Sequence, residues 1–499
     1  MTAVAMEVAG QVLLVVSIAL PLLTAAWVGL TTRAPARAAL AATVVAWLAC
    51  GVLAALVLAG VEMELALFEL VPPVHLVLRV DAAGALFALT VASLNVLAVI
   101  HAGSWLADDR ANDRHARAYF AVTLACLGLM LLVAFAANLV TLLVAYELFS
   151  LASFVLIVHR RTPEAFRAGI KYLVYVIPGA SLTLVGTLLV FFVAGALDFT
   201  PGGLAGLEAA PALATTAWAC LVFGFGVKAA LFPLHGWVPD AHPAAPAPFS
   251  AVLSGVMVAT GVFAIIRVLY EIFGPAVLHA LGVMPWLVVP AALGVVLAGV
   301  FAIGEDELKR RLAWSTISQM GYATLAAALL HPAALAAALV HLAAHAFIKG
   351  GLFFAVGAIA RHARVHRVSE LNGLARRMPI TAVLLSVLAL ALIGLPPLAG
   401  FVAKWLLVTG AAAAQARGAL AVLATGSLLA ALYLWPVLAA IWTRPDAHTD
   451  AAVGDPADGM RLATALAAGL ALLFGIGAAW TGYPLALARR AAETLTGAG

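Results

Sequence analysis

Six ionisable residues lie inside long apolar segments, where an ionisable side chain is costly. They are Glu147, Lys228, His341, His345, Lys349 and Lys404. Glu147 has no other charged residue within eight positions on either side. On insertion scales a carboxylate at the centre of a membrane helix costs roughly 2.5 to 3.5 kcal/mol, so it needs a partner or a water-filled cavity. Such side chains can take up and release protons, and we interpret these six as candidate proton-transfer residues.

The pair formed by Glu147 and Lys228 offers the most specific chemistry. The proton affinity of a buried lysine depends on how close a carboxylate lies. A small movement of the carboxylate would therefore switch the amine between holding and releasing a proton. We expect a direct ion pair between the two side chains. The alternative is that Glu147 only hydrogen-bonds a backbone or hydroxyl group of a neighbouring helix.

The sequence HLAAHAFIKGGLFF places His341, His345 and Lys349 at a spacing of four residues. This spacing aligns the three side chains on one face of a helix, as a ladder of titratable groups. A metal site is disfavoured, because the HExxH glutamate is absent and a lysine would repel a cation. A packing role for the histidines is the other alternative. Lys404 follows the prolines of GLPPLAG and could extend to the membrane surface, but we expect it in the interior.

The composition excludes a soluble enzyme. Of the 499 residues, 65% are hydrophobic and only 10% are charged, and the mean hydropathy is +1.11, whereas soluble domains carry about 25% charged residues. Apolar runs of roughly 18 to 25 residues are long enough to cross a bilayer core of ~30 Å as helices. The strands of transmembrane β-barrels instead alternate in polarity over about 10 residues. The sequence therefore predicts an all-α polytopic membrane protein.

The apolar runs predict about fourteen membrane helices. They lie near residues 9–30, 38–59, 81–104, 117–135, 138–158, 166–194, 211–235, 247–272, 281–303, 308–330, 333–360, 379–413, 416–442 and 461–482. The seventh run ends in the polar, proline-rich HGWVPDAHPAAPAP, and the twelfth contains Gly394, Pro396, Pro397 and Gly400. Both should be broken helices. Backbone groups freed at membrane depth then need protein or a water-filled cavity around them.

The two predicted breaks occupy the fourth place in two sets of five helices, 4–8 and 9–13. Paired interruptions are typical of repeat-built transporters, and an odd number of helices makes the repeats inverted. We therefore divide the chain into four regions. They are a three-helix N-terminal region (1–110), a first five-helix repeat (111–275), a second five-helix repeat (276–443) and a C-terminal loop with helix 14 (444–499).

The basic residues indicate how the helices are oriented. In alternating loops, 19 of the 27 Lys and Arg residues fall on the side of the loop after helix 1, 5 fall on the other side, and 3 lie within the runs. By the positive-inside rule, this places both termini on the outer side of the inner (cytoplasmic) membrane. No Lys or Arg precedes the first run, so we expect it to stay as a membrane helix and not to be cleaved as a signal peptide.

No segment of the sequence has the composition of a cofactor domain. There is no long hydrophilic stretch for a nucleotide-binding or redox domain. Cys50, Cys126 and Cys220 lie in apolar runs without CxxC or CxxxC spacing, which disfavours a disulfide framework, an iron–sulfur cluster and a zinc site. We expect no cofactor, no metal and no nucleic-acid partner. Whether the chain is part of an enzyme complex stays open, since any energy source must be an ion gradient or a partner protein.

Five stretches resemble, in order and spacing, the antiporter-like membrane subunits of respiratory complex I and their relatives in Mrp-type cation/proton antiporters and membrane-bound hydrogenases. They are LVTLLVAYELFSLASFVLI (139–157), VKAALFPLHGWVPDAHPAAPAPFSAVLSG (227–255), LKRRLAWSTISQMGYA (308–323), HLAAHAFIKGGLF (341–353) and IGLPPLAGFVAKWLL (393–407). The resemblance implies fourteen helices with two inverted five-helix repeats, and a central hydrophilic axis along which protons move. It assigns the six residues to helix 5 (Glu147), helix 7 (Lys228), helix 11 (His341, His345 and Lys349) and helix 12 (Lys404).

One position departs from the pattern of the family. The family usually has a lysine in helix 8, eight residues before the arginine of AIIR, and this chain has Ala259 there. An alanine cannot relay a proton, so either water bridges Lys228 to helix 11 or the chain is an incomplete channel that serves a partner. Arg267, the arginine of AIIR, is too basic to release protons. We expect its side chain to extend outward to the membrane surface.

Three functions are compatible with the sequence. The leading one is a proton-translocating subunit of a multi-subunit cation/proton antiporter, similar to the Mrp D subunit, with Na⁺ or K⁺ as the exchanged ion. The alternative is a proton-pumping subunit of an NADH–quinone oxidoreductase or a membrane-bound hydrogenase, in which electrons flow only in partner subunits. The third, suggested by Ala259, is a scaffold subunit that has lost transport. All three predict other membrane subunits and the lipid bilayer as partners.

Overall fold

The computed structural model describes residues 3–31, 34–72, 74–107, 113–443, 454–456, 458–479 and 484–497. Three of the basic residues used to predict the orientation, Arg33, Arg110 and Arg444, lie outside the described residues, as does most of the predicted loop 444–461. The described residues form twenty α-helices and one two-stranded sheet.

The helices follow one another along the whole chain. They are α1 (Ala3–Leu30), α2 (Pro35–Leu58), α3 (Ala82–Trp105), α4 (Asp113–Ala134), α5 (Leu139–Ile157), α6 (Pro163–Ala194), α7 (Pro211–Lys228), α8 (Val238–Ala244), α9 (Ala247–Val252), α10 (Val258–Arg267), α11 (Gly274–Leu281), α12 (Pro285–Gly304), α13 (Leu308–Ala327), α14 (Pro332–His362), α15 (Leu374–Arg377), α16 (Pro379–Ile393), α17 (Ala399–Ala413), α18 (Arg417–Trp442), α19 (Gly459–Ile476) and α20 (Leu485–Thr496). Two π-helical segments, Leu253–Met257 and Val268–Phe273, join α9, α10 and α11 into one continuous stretch.

Twelve helical stretches in the described part of the chain are long and apolar enough to cross a membrane. The shorter apolar helices α16 and α17, with 15 residues each, lie end to end as the two halves of one predicted run. Helix α13 has 20 residues but carries several polar side chains. Each of the fourteen predicted runs coincides with one of these helices or helix pairs, which confirms the all-α polytopic membrane fold. The division into two inverted repeats stays a prediction.

Both predicted helix breaks are present. Helix α7 ends at Lys228, and the chain turns through Ala230, at φ +56°, before α8 begins at Val238. Helix α16 ends at Ile393, where Gly394 adopts φ +100°, a left-handed conformation that glycine adopts without steric cost. Each break leaves helix-terminal carbonyl groups inside the protein, and they need donors from side chains.

Two elements on one face of the protein were not predicted. Strands β1 (Glu64–Val71) and β2 (Val74–Arg79) form an antiparallel hairpin between α2 and α3, in which Glu64 lies opposite Arg79. Helix α20 is bound to the end of α2 by Arg490, whose guanidinium donates to the Leu58 carbonyl at 3.0 Å. We call this side, which carries the hairpin and α20, the hairpin face.

The opposite side carries the starts of α6 and α13 and the short helix α8, and we call it the basic face. Lys171 of α6 forms an ion pair with Asp240 of α8, with 2.6 Å between Nζ and Oδ2. Arg310 of α13 lies 3.7 Å from the same carboxylate. The loops before α6, around α8 and before α13, which were predicted to lie on the same side of the membrane, therefore meet at one end of the bundle.

The core of the bundle is formed by α14 and the continuous stretch from α9 to α11. Every residue of α14 from Ala334 to Ile359 is buried, as is the stretch from Ala247 to Phe273. Side chains on these two stretches cannot reach lipid. Any polar group they carry must therefore be bound by protein or water.

Candidate proton-transfer site

Lys228 is the last residue of α7, and its amine is buried beside neutral groups. Nζ donates a hydrogen bond of 2.7 Å to Ser150 Oγ and a weaker one of 3.3 Å to the Tyr172 hydroxyl. It also lies 3.8 Å from the centre of the Phe149 ring. The helix dipole favours a cation at a C-terminus, and the aromatic face adds to this. Among the described residues, no carboxylate forms an ion pair with the Lys228 amine.

Glu147 lies on α5, about one turn before Ser150. Its Oε1 atom is buried and has no hydrogen-bond partner among the described residues. The predicted direct ion pair with Lys228 is not formed, because the lysine amine is bound by Ser150 and Tyr172. Beside Glu147, the side chain of Leu148 is exposed on the lateral surface of the bundle. Glu147 is therefore only partly buried, and it lies on the same helix as Ser150, which binds the lysine amine.

The predicted ladder on α14 is present and buried. The ring centres of His341 and His345 are 6.2 Å apart. His345 Nε2 lies 3.1 Å from the carbonyl oxygen of Ser254 in the first π-helical segment. When Nε2 is the donor, Nδ1 of the neutral ring is an acceptor. This Nδ1 and both ring nitrogens of His341 have no hydrogen-bond partner in the described part of the chain, which makes them sites for water or for a proton in transit.

Helix α13 supplies the partners of Lys349. The Lys349 amine donates to a backbone carbonyl of α13 at 2.8 Å and forms a short hydrogen bond with Ser315 Oγ. Thr316 shares a hydrogen bond of 2.7 Å with Ser254 Oγ, next to the His345 contact. Ser318 instead bonds a carbonyl of α12. Ser315 on the polar face of α13 therefore binds Lys349, whereas Ser318 on the same helix binds α12.

Lys404 is partly buried, and its amine contacts groups inside the bundle, in agreement with the prediction. Its amine donates to the carbonyl of Ile393, the last residue of α16, at 2.8 Å, and so satisfies a group freed by the helix break. It lies 5.5 Å from the centre of the Tyr322 ring. Lys404, His341 and Gln319 also line a small internal cavity with about 10 Å³ for the centre of a water molecule. This is about the size that one water requires, so one water can join Lys404 to the histidine ladder.

His242 is an ionisable residue that lies outside the six predicted site residues. From the sequence, Asp240 and His242 in the loop after the predicted seventh helix could line a proton entrance, although polar loop residues are usually only solvated. Asp240 is at the basic face, but His242 is fully buried in α8. Its Nδ1 lies 2.9 Å from the Val238 carbonyl, and its Nε2 is buried without a hydrogen-bond partner among the described residues. In a helix, a histidine can place Nδ1 on the carbonyl group four residues earlier, as His242 does on Val238. The sequence would have indicated this contact only if the segment had been predicted to be helical.

A cavity of about 680 Å³ opens at the basic face next to α8. Charged residues of both signs line it, among them Arg160, Lys171, Asp240, Glu307 and Arg310. Partial burial raises the pKa of the Glu307 carboxyl above its ordinary value, and neighbouring Glu305 adds to this. Residues of α8, the short helix that carries His242, also line this cavity.

Arg267 does not extend to the membrane surface, so that expectation is wrong. Its side chain is 0% exposed, and its guanidinium contacts Asp81 at 2.6 and 3.0 Å and Glu271 at 2.7 Å. Glu271 in turn pairs with Arg79 of the hairpin at 3.1 Å. These four residues form an ion cluster near the hairpin face, in which Arg267 and Glu271 are buried and Arg79 and Asp81 are partly exposed. The cluster joins β2, α3 and the second π-helical segment.

Ala259 is buried in α10 and leaves that helix without an ionisable group at this place. Gly261, half a turn later, packs directly against the break after α7. A Cβ atom on Gly261 would come within 2.3 Å of the Ala229 backbone nitrogen. Helix α10 therefore contacts the backbone next to Lys228 at Gly261. Its side chains provide no ionisable group in place of the helix-8 lysine that is usual in the family.

Among the residues that the structure describes, no group of three or more His, Cys, Asp or Glu side chains is placed to hold a metal ion. Cys50 and Cys126 are buried free thiols, and Cys220 is partly buried. The lysines of the axis and His345 have hydroxyl groups and carbonyl groups as their hydrogen-bond partners in the described structure.

The family model described as "NADH:quinone oxidoreductase/Mrp antiporter, TM" matches residues 136–430, which include all six predicted site residues. NADH-quinone oxidoreductase subunit N of Desulforudis audaxviator (strain MP104C) is 36% identical over 373 residues, which cover 74% of this chain and 73% of that protein. Hydrogenase-4 component B of Escherichia coli (strain K12) is 32% identical over 344 residues, covering 66% of this chain and 50% of that protein.

Solved structures show the same fold over nearly the whole chain. A chain of an archaeal membrane-bound sulfane sulfur reductase has a TM-score of 0.86 at 24% identity, and a chain of the Mrp complex from Dietzia sp. DQ12-45-1b has a TM-score of 0.84 at 22% identity. Both alignments cover 97% of this chain and 98% of the other. With a family model that matches more than half of its residues, this chain belongs to the NADH:quinone oxidoreductase/Mrp antiporter transmembrane family.

Proposed function

We propose that this chain is a proton-translocating membrane subunit of a multi-subunit complex. The observation that carries the proposal is the line of three lysine amines inside the bundle, of which Lys228 and Lys349 are buried and Lys404 is partly buried. Each amine is bound only by hydroxyl groups, carbonyl groups and aromatic rings in the described structure. A lysine with neutral partners can lose its proton without leaving a buried carboxylate unpaired. His345 and His341 lie between Lys349 and Lys404 and supply nitrogen atoms for the transfer.

Protons would pass along α14 in single steps. Lys349 exchanges a proton with the histidine ladder, and the water-sized cavity joins His341 and Lys404. Each step needs only a hydrogen-bonded donor and acceptor, with water where they are not in contact. Glu147 would act on Lys228 from the lateral surface of α5. When the carboxylate swings inward, it favours the protonated amine, and when it swings outward, it favours release.

Two kinds of complex are candidates. The curated relatives named above are a subunit of an NADH-quinone oxidoreductase and a component of a hydrogenase, and this supports a complex driven by electron transfer in partner subunits. The similarity to a chain of an Mrp complex is a similarity of fold, and it supports a cation/proton antiporter as the second candidate. In both, the partners are other membrane subunits, and the chain supplies the proton path.

We place the complex in the inner (cytoplasmic) membrane, with both termini of this chain on the outer side. The basic face then lies in the cytoplasm, as the positive-inside rule requires. Lys171 and Arg310, which meet at Asp240, belong to this face. The 680 Å³ cavity at the basic face would admit cytoplasmic water.

Lys404→Met tests the end of the path. We expect proton movement across vesicles that carry the assembled complex to fall on the order of 100-fold, since proton transfer through a positioned group contributes about 10²–10⁴-fold. The measurement is the change in internal pH after addition of an electron donor, or of Na⁺ or K⁺, to the same vesicles. A signal triggered by the donor supports the oxidoreductase complex, and a signal triggered by a cation supports the antiporter.

The matched control for Lys404→Met is Arg417→Met, which removes an exposed cation at the start of α18. It should leave proton movement unchanged. Undiminished proton movement in Lys404→Met vesicles would contradict a path that ends at this residue. If neither a donor nor a cation moves protons in wild-type vesicles, the scaffold hypothesis replaces the proposal.

A further inference from the structure

The proposed path has a gap between Lys228 and the helix α14 ladder. In this gap α10 contributes Ala259, which has no group that can bind a proton, and Gly261, which packs on backbone. Lys228 is bound on the side of α5 and α6, by Ser150 and Tyr172. Lys349 is bound on the side of α13. A proton that leaves Lys228 therefore needs another carrier before it reaches α14.

His242 occupies this gap. On one side, its ring centre is 6.2 Å from that of Trp237, whose Nε1 donates to the Val227 carbonyl next to Lys228 at 2.9 Å. On the other side, its ring centre is 5.7 Å from that of Phe353. Phe353 lies one turn after Lys349 on the same face of α14. The imidazole is thus placed between the surroundings of Lys228 and those of Lys349.

The ring is held in one orientation with one nitrogen free. Nδ1 lies 2.9 Å from the Val238 carbonyl, which can only accept, so Nδ1 carries the hydrogen. In the neutral ring, Nε2 is then an acceptor, and it is buried without a hydrogen-bond partner in the described structure. The backbone of His242 is fixed too, because Ser250 Oγ donates to its carbonyl at 2.7 Å. A buried acceptor without a partner is costly and is retained where a ligand or a proton can use it.

We propose that His242 Nε2 carries protons between Lys228 and the α14 ladder, in the place where Ala259 provides no relay. This inference rests on the proposed function and extends it. A proton released by the Lys228 ammonium crosses a transient water to Nε2 and gives an imidazolium. The same nitrogen then passes the proton through a second water toward Lys349 and His345. The hydrogen bond between Nδ1 and Val238 persists throughout, and His242 ends each passage neutral.

The charged groups around His242 fit a carrier that does not trap the proton. The titratable groups that act on it are Lys349 of α14 and Lys309 of α13, and His345 of α14 is a further titratable neighbour. Lys309 donates to the Ala245 carbonyl at 2.8 Å, just after α8. None of these neighbours is a carboxylate. An imidazolium at this place is therefore short-lived and passes its proton on.

His242→Gln tests the proposal in vesicles that carry the assembled complex. An amide can hydrogen-bond the Val238 carbonyl but cannot take up a proton at neutral pH. We expect proton movement to fall at least about tenfold, at the lower end of what a positioned proton carrier contributes. His279→Gln is the matched control, because His279 also places Nδ1 on the carbonyl four residues earlier, at 2.7 Å, but is exposed. It should transport like wild type.

A second variant and a second background separate transport from packing. His242→Asn is measured alongside, and assembly is followed by the amount of intact complex in the membrane. In an Ala259→Lys background, we expect His242→Gln to lose less than about threefold, because the new lysine restores a carrier in α10. Wild-type transport by either assembled His242 variant would overturn the proposal, and so would an equal loss in both backgrounds. If the Lys228→Met complex also transports protons normally, the proposed function itself fails. If the His242 variants transport normally but Lys228→Met does not, only the proposed relay through His242 fails.

Discussion

Lys228→Met should lower proton movement by the assembled complex on the order of 100-fold or more. The Lys228 amine is the titratable group on α7 at the helix break, and its partners are two hydroxyl groups and an aromatic ring. Methionine fills a similar volume, and the groups that bind the amine are neutral, so the fold should be kept. Ser150 keeps its hydrogen bond to the Tyr146 carbonyl at 2.7 Å. The measurement is proton flux per intact complex in vesicles.

The control for Lys228→Met is Lys171→Met. Lys171 also forms a hydrogen bond, to Asp240, but lies half-exposed at the basic face. Surface ion pairs contribute about 0 to 1 kcal/mol, so this variant should assemble and transport like wild type. If Lys228→Met retained more than half of the wild-type flux, the amine would be structural and the path would have to start elsewhere.

Arg267→Met should destabilise the protein by about 3 to 5 kcal/mol, the usual cost of removing one partner of a buried ion pair. The change leaves Asp81 without its 2.6 Å contact and Glu271 without its 2.7 Å contact. Arg79 still pairs with Glu271 at 3.1 Å but cannot neutralise both carboxylates. The expected result is a lower temperature of thermal unfolding of the purified complex and less intact complex in the membrane.

A triple variant shows whether charge is the cause of the loss. Asp81→Asn and Glu271→Gln, added to Arg267→Met, remove the buried charges together and should restore part of the stability. Arg417→Met, an exposed arginine near the same face, should change stability by less than about 0.5 kcal/mol. Normal stability of the Arg267→Met complex would show that the cluster does not hold the hairpin, α3 and the second π-helical segment together.

The membrane helices could be predicted from the sequence because the bilayer imposes their length and composition. Prolines and glycines in the seventh and twelfth runs located both breaks, since these residues interrupt helical hydrogen bonding. The hairpin and α20 are short and do not span a membrane, so a search for apolar runs does not find them. The hairpin strands have 8 and 6 residues, too few to stand out against long helices.

The helices that carry the candidate residues were predictable from the sequence, but the contacts of these residues were not. The periodicity of α14 places His341, His345 and Lys349 on one face, because helix geometry alone decides this. The partner of a lysine cannot be found this way, since its long side chain can reach several helices. Lys228 therefore binds Ser150 and not Glu147. Arg267 likewise pairs with Asp81, although the two residues are 186 positions apart in the sequence.

His242 illustrates a further limit. A segment as polar as HGWVPDAHP has the composition of a solvated loop, and only the tertiary structure shows that it forms α8 inside the protein. Helix α8 is sheltered by the break after α7, which brings the segment back into the bundle. Polar residues next to a broken membrane helix can therefore be buried inside the protein.

The most direct test of the proton path is the number of protons moved per turnover of the complex, compared between wild type and Lys349→Met. Lys349 lies at the centre of the buried axis, and in the described part of the chain its amine is bound only by α13. Turnover is measured separately, as electron transfer or as cation movement, in the same vesicles. We expect the Lys349→Met complex to lose the protons carried by this chain while it stays intact. An unchanged number of protons per turnover would contradict a path through the buried lysines.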